Sequence, residues 1–210
     1  SEGGEGRAGA SAEMNADTRQ EKFADETEVR VSELMLPHHA NAHGNVHGGE
    51  MLKLVDSLAY VCAARFCGGL CVTAAVDRVD FHEPIFVGEL LTLVARVVYA
   101  GRTSMDVEIE VFAEDIPSGR VRKTNSCHVT MVHLKDGRPA PVPRLVCRTR
   151  EDRLRYAQAL LRREVVRHQR AERERLREML EGMSDEEAGR LLHDEGLGEL
   201  RARLLHRSGS

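Results

Sequence analysis

Tryptophan is absent from this chain, and with three Tyr and five Phe in 210 residues the aromatic share is 4%. So little aromatic surface argues against the stacking platforms that hold single-stranded nucleic acid. The formal net charge of −4 leaves no excess of Lys and Arg to neutralise phosphates. No apolar run reaches the roughly 18 to 20 residues needed to cross a bilayer, and the first residues lack the basic, then apolar, then small-residue order of a secretory leader. The expectation is a cytoplasmic protein that engages neither nucleic acid nor membrane. The five cysteines, Cys62, Cys67, Cys71, Cys127 and Cys147, are odd in number, form no C-x-x-C pair and lie mostly in apolar stretches, as thiols do in a reducing compartment. His38, His39, His43 and His47 cluster in sequence. Gly44, Gly48 and Gly49 spoil the helix that would align an i, i+4 pair, and no cysteine or carboxylate completes a set nearby, so no metal is expected.

What the chain does contain is organised around residues 43–66, HGNVHGGEMLKLVDSLAYVCAARF. A polar, glycine-punctuated turn runs directly into a long apolar segment. Met51, Leu52, Leu54, Val55, Leu58, Ala59, Val61, Cys62, Ala63 and Phe66 cover nearly the whole circumference, which predicts a helix buried on most sides. Asp56 interrupts it, in mid-helix, where aspartate is a poor helix former and an unpaired buried charge costs several kcal/mol in order of magnitude. Gly48 and Gly49 stand where the first free N–H groups of the helix point outward, and without side chains they let a substrate oxygen approach. The helix start is therefore a candidate pole for polarising an electrophile, and Asp56, about two turns on, is a candidate base. Pairing with Lys53 or with a partner subunit is the structural alternative for Asp56.

The remaining segments fall into place around this helix. Residues 1–22 are rich in Gly, Ser, Ala and charge and predict a disordered arm, residues 23–148 a single domain, and residues 149–210 a helical extension. Within the domain, residues 28–36 form a first strand ended by Pro37, and Cys67-Gly68-Gly69 caps the helix. Beyond it the period changes from 3.6 to 2. Residues 70–81, 88–100, 103–114 and 121–134 read as four strands; the third alternates Met105, Val107, Ile109 and Val111 with Asp106, Glu108 and Glu110, one face buried and one wet. Short breaks imply antiparallel hairpins. The fold class is α+β, a curved, mostly antiparallel sheet wrapped around a long central helix. In the extension, residues 150–181 predict a helix with a narrow stripe of Leu154, Ala157, Leu160, Leu161, Val165 and Leu176. Gly182 ends it, Ser184 to Glu187 forms a capping box for a short helix, and a third helix is placed at 197–206.

The stretch HANAHGNVHGGEMLKLVDSLAYVCAARFC, followed by CVTAAVDRVDFHEPIFVGE and AGRTSMDVEIEV, resembles the hotdog-fold acyl-CoA thioesterases, in particular acyl-CoA hydrolases that include bacterial single-domain and vertebrate cytosolic two-domain enzymes. The resemblance spans about residues 29–170. It implies that Asp56 acts as general base or nucleophile on the thioester, that Asn45 positions water or substrate, and that the helix start at Gly48 and Gly49 polarises the carbonyl. It further implies coenzyme A contacts at Ala74, Ala75, Val76, Thr103, Ser104, Met105 and Arg163. The cofactor expectation is none, coenzyme A being part of substrate and product. Sites shared between subunits of a homodimer, with three dimers making a hexamer, are also implied. Both Asn45 and Asp56 lie in one hotdog unit here, as in the bacterial branch.

Two other functions remain open at this stage. A hydratase on the same fold would need a catalytic His beside the helix carboxylate, and none matches. A non-catalytic acyl-CoA sensor would use the extension as its output, and thiol release separates it from a hydrolase. The acyl chain length preferred is not legible.

Overall fold

The computed structural model describes residues 19–77, 79, 83–191 and 198. Most of the arm, the end of the expected 70–81 strand and most of the expected third helix lie outside them. The described elements are β1 (Glu21–Phe23), β2 (Val29–Leu34), α1 (Gly48–Cys67), β3 (Leu70–Val76), β4 (Leu90–Ala100), β5 (Ser104–Asp115), β6 (Arg120–Lys135), β7 (Arg138–Pro139), β8 (Arg144–Val146), α2 (Arg150–Glu181) and α3 (Asp185–Arg190). The chain divides into two units, Ser1–Ala159 and Leu160–Ser210.

In the first unit an antiparallel sheet runs in the order β2-β4-β5-β6-β3, with β7 added on β6. The alternation read from the sequence fixes which residues face α1. Leu91, Leu93, Ala95 and Val97 of β4, Met105, Val107, Ile109, Val111 and Ala113 of β5, and Cys127, Val129 and Met131 of β6 share one core with Met51, Val55, Leu58, Ala59, Cys62, Ala63 and Phe66 of α1. Apolar area removed from water at about 25 cal/mol per Å² is what holds the helix in the curl of the sheet. Gly68, in the left-handed conformation at φ 68°, ends α1 and donates to Ala64 O, so β3 can follow at once.

Two expectations change. Glu21 and Lys22, assigned to the arm, belong to β1, which pairs in parallel with β8. The acidic face of β5 is not wet throughout. Asp106 is buried and takes a hydrogen bond from Thr130 Oγ1, while Glu108 meets Arg155 of α2 at 3.1 Å and Glu110 meets Arg96 and Lys123. The first turns of α2, assigned to the extension, are packed within the first unit. Ala159 is fully buried there and Tyr156 stacks on Tyr99 at 5.4 Å between centroids. Within one chain the apolar stripe of α2 is exposed at Leu154, Leu160, Leu161 and Val165.

The second unit holds the distal part of α2 and α3. Ion pairs at helical spacing, Arg167 with Glu164 and Arg177 with Glu181, line α2. Ser184 and Glu187 form the expected capping box of α3.

Candidate active site

Asp56 lies on the side of α1 that the sheet leaves open. The helix is not buried on most sides: Leu52, Asp56, Ser57 and Tyr60 are exposed. The apolar content of the helix exceeds what one sheet face can cover, and the surplus is left outward. Lys53 pairs with Glu50 at 4.0 Å, while Asp56 is tied elsewhere. Its Oδ1 accepts a hydrogen bond of 2.6 Å from Thr73 Oγ1 of β3. Thr73 is not legible in the sequence as the partner of Asp56, because the VTAAVD segment gives no register relative to the helix. β3 also carries an irregularity between Thr73 and Ala75 where its pairing with β6 shifts, which re-aims side chains locally.

The start of α1 is shaped by His47. This residue caps the helix: its Nδ1 accepts from Gly49 N–H at 2.9 Å, and its carbonyl accepts from Glu50 N–H at 2.9 Å. A Cβ on Gly49 would stand 2.9 Å from His47 Nδ1. The closeness that Gly49 permits is therefore used in this structure by an imidazole of the same chain.

The turn before the helix is built on Asn41. Its Oδ1 accepts from His43 N–H at 2.8 Å and from Asn45 N–H at 3.3 Å, and its own N–H donates to Asn45 O at 2.7 Å. With the carbonyl end so engaged, the side chain presents its NH₂ group as a donor. Asn45 also forms a bridge to Phe86, and Val46 N–H donates to Ile85 O. The Ile85–Phe86 segment is in turn clamped by Glu89, which accepts from Phe86 N–H at 2.8 Å and holds Arg122 through both carboxylate oxygens. Burial pushes the Glu89 pKa up, but the Arg122 and Phe86 hydrogen bonds and the Arg122 charge outweigh it and leave it below its ordinary value.

Of the other residues singled out, Ala74, Ala75 and Val76 are exposed on β3, the last strand in the sheet order. Thr103 and Ser104 are half-buried at the β4–β5 turn. Met105 is a core residue with no exposed surface, paired to strands on both sides. Arg163 belongs to the second unit. Among the described residues no group of three or more His, Cys, Asp or Glu is placed to hold a metal ion, and no helix is long and apolar enough to cross a membrane.

The thioesterase superfamily pattern matches residues 43–119. VdlD of Helicobacter pylori is 44% identical over 142 residues, 68% of this chain and 82% of that protein. YkhA of Bacillus subtilis, named as an uncharacterized acyl-CoA thioester hydrolase, is 32% identical over 147 residues, 70% of this chain and 86% of the relative. The acyl-CoA hydrolase of Staphylococcus aureus, solved with butyryl coenzyme A, coenzyme A and coenzyme A disulfide, is similar in fold with a TM-score of 0.69 and 30% identity. That match covers 76% of this chain and 98% of the S. aureus chain. With this sheet, this central helix and these relatives, the chain belongs to the hotdog-fold acyl-CoA thioester hydrolases of the thioesterase superfamily.

Proposed function

We propose that the chain hydrolyses acyl-CoA to a free fatty acid and coenzyme A, with Asp56 as general base or nucleophile, in a site completed by a second copy. The observation that carries this reading is the Asp56–Thr73 hydrogen bond. Variants of the S. aureus enzyme at an asparagine, an aspartate and a threonine have been characterised. Their separations along that chain equal those from Asn41 to Asp56 and from Asp56 to Thr73 here. Thr73 orients the carboxylate, and Asn41, through its NH₂ group, holds the attacking water or the thioester oxygen. Asn45 fixes the loop that aims Asn41.

Helix geometry argues for the second copy. Asp56 is eight residues beyond Gly48, about 12 Å along the axis, whereas base and carbonyl-polarising donor must both reach one thioester carbon. One helix cannot supply both to the same substrate. Two helices from a symmetric pair can, each giving its start to one site and its Asp56 to the other. The surface suits such pairing. Leu52 and Tyr60 of α1 and Leu70, Val72 and Val76 of β3 are exposed, beside a strand edge with free backbone groups. A hexameric acyl-CoA thioesterase is among the solved relatives, and three such dimers per assembly is the arrangement proposed here.

Gly48 N–H is the proposed carbonyl donor, joined by Gly49 N–H once the His47 imidazole gives way. Ala74 to Val76, Thr103 and Ser104 are the proposed coenzyme A contacts, with Arg163 as a phosphate ligand. No metal or other cofactor is required, since base and donors come from the chain. The free cysteines suit a reducing cytoplasm.

The test mixes two inactive proteins, Asn41→Ala and Asp56→Ala, under conditions of demonstrated subunit exchange, and follows thiol release from acyl-CoA. Recovery of activity in the mixture is expected, one intact site forming per mixed dimer. Activity that never returns would place the site within one chain.

A further inference from the structure

Leu161 and Val165 are the most exposed large apolar side chains of α2, at 69% and 54%, and the chemistry above uses neither. Toward the end of the helix their face continues through His168 and Glu172 to the half-buried Leu176 and Met179, all within the second unit. Spacings of four, three, four, four and three residues keep these six side chains on one side of α2. From Leu161 to Met179 the stripe runs about five turns, or about 27 Å. It is apolar at both ends and polar in the middle.

We propose that this face pairs with the same face of a second copy of the chain, the two helices running antiparallel and centred at the level of Arg170. Turned end for end about that level, the stripe matches itself. Leu161 falls opposite Met179 of the second copy, Val165 opposite Leu176, and His168 opposite Glu172. In each chain His168 pairs with Glu164 at 3.1 Å and Arg175 with Glu172 at 3.8 Å, so either half of the face carries a carboxylate and a basic side chain. Antiparallel docking sets Glu164 beside Arg175 of the second copy as well as His168 beside Glu172, a carboxylate meeting a base each time. On the other flank Arg162 falls beside Leu180 and Val166 beside Arg173, with no like charges opposed. Parallel pairing would instead set Glu172 against Glu172, which like-charge repulsion disfavours.

A helix pair of this length covers less surface than the roughly 1,200 Å² of a stable interface. It forms between chains already joined through their first units, where effective concentration takes the place of area. The pairing therefore rests on the assembly proposed above and not on the hydrolytic chemistry. Covering Leu161 and Val165 removes apolar surface that a lone chain leaves in water, at about 25 cal/mol per Å². The polar residues between the apolar ends fix direction and register, as polar positions in a helix seam do.

The full chain carrying Leu161→Cys and Met179→Cys, mildly oxidised with glutathione disulfide and digested with trypsin, tests this by mass spectrometry. Along one helix the two positions stand too far apart for a disulfide, whose Cα atoms lie within about 7 Å. A link between tryptic peptides 156–162 and 178–190 therefore comes from two chains paired antiparallel. That link is expected as the main product joining these peptides. Val165→Glu, added to the two cysteines, should lower its yield about tenfold with helix content by circular dichroism unchanged. Peptide 156–162 joined to itself would mean parallel helices, and no link at either position would leave the stripe to a partner other than this chain. A yield indifferent to Val165→Glu would mean chance collision. Each of these three results overturns the proposal. Sedimentation of the reduced protein reports separately on the assembly.

Discussion

The Thr73 hydroxyl and the Asp56 carboxylate meet at 2.6 Å across the turn that joins α1 to β3. A carboxylate on an exposed helix face is free to rotate, and one hydrogen bond from the neighbouring strand fixes which oxygen faces outward. The other oxygen is the one proposed to meet water or thioester. Asp56→Asn keeps the shape and the Thr73 contact but removes the base, so turnover should fall about 10² or more with fold and coenzyme A affinity retained. Thr73→Val should cost less, about tenfold in kcat, because the base survives but is no longer held. Near-normal turnover in Asp56→Asn would remove Asp56 from the chemistry.

This pair also marks where the sequence was readable and where it was not. Strands β4 to β6 and the end of α1 at Gly68 were legible because period 2, period 3.6 and a left-handed glycine are local properties. The exposure of Asp56 was not. Leu52 and Tyr60 are as apolar in sequence as Val55 and Leu58, and only the position of the sheet separates those it covers from those left exposed. Likewise the acids of β5 read as solvent-facing because Arg96, Lys123 and Arg155, which cover them, come from distant segments. Thr73 required a register, and the His47 cap required a side-chain direction.

His47 and Gly49 supply the second prediction. In this structure the imidazole accepts from the Gly49 N–H that is proposed to polarise a substrate carbonyl. His47→Ala removes that competitor along with a helix cap. The melting temperature should drop by a few degrees, as loss of about 1 kcal/mol implies. Over the same change kcat/KM should rise by about 2- to 10-fold, the scale of one net hydrogen bond. A fall in kcat/KM in this variant would mean that the imidazole serves the substrate directly.

Two asparagines in one turn invite a direct comparison. Asn41→Ala removes the proposed NH₂ donor, and a single lost donor of this kind costs about 10² to 10³ in kcat. Asn45→Ala leaves the backbone bonds between Asn41 and Asn45 in place and should cost no more than about tenfold. If steady-state kinetics reverse that order, Asn45 is the residue that meets substrate.

Acid sensitivity follows from Glu89 and Arg122. The folded-state pKa of Glu89 lies below its ordinary value of 4.5, so the stabilisation is fully present above that value and is lost as the pH falls through the depressed one. Because Glu89 clamps Phe86, which bridges to Asn45, the turn before α1 should loosen in the same window, below about pH 4.5. In Arg122→Ala the leading effect left on Glu89 is burial, which acts in the opposite direction. Its acid-unfolding midpoint, followed by circular dichroism, should therefore move to higher pH than in the wild type. An unchanged midpoint would show that the clamp does not contribute to acid stability.

The extension separates into two parts with different expected weight. The match to the S. aureus enzyme covers 76% of this chain, and the first turns of α2 are built into the first unit through Ala159, Arg155 and Tyr156. Ending the chain after Thr149 uncovers Glu108 on the sheet and deletes Arg162 and Arg163, so it should raise KM for acyl-CoA or dissociate the oligomer, as read by kinetics and by sedimentation. Ending it at Glu181 removes α3 and the residues beyond while keeping all of α2. The lost residues 185–190 include none that are buried, so thiol release should stay within about twofold of the full chain, as surface changes usually do. If the shorter deletion alone abolished activity, the residues beyond Glu181 would be part of the catalytic unit, and an acyl-CoA sensor whose extension reports binding would become the better account of this chain.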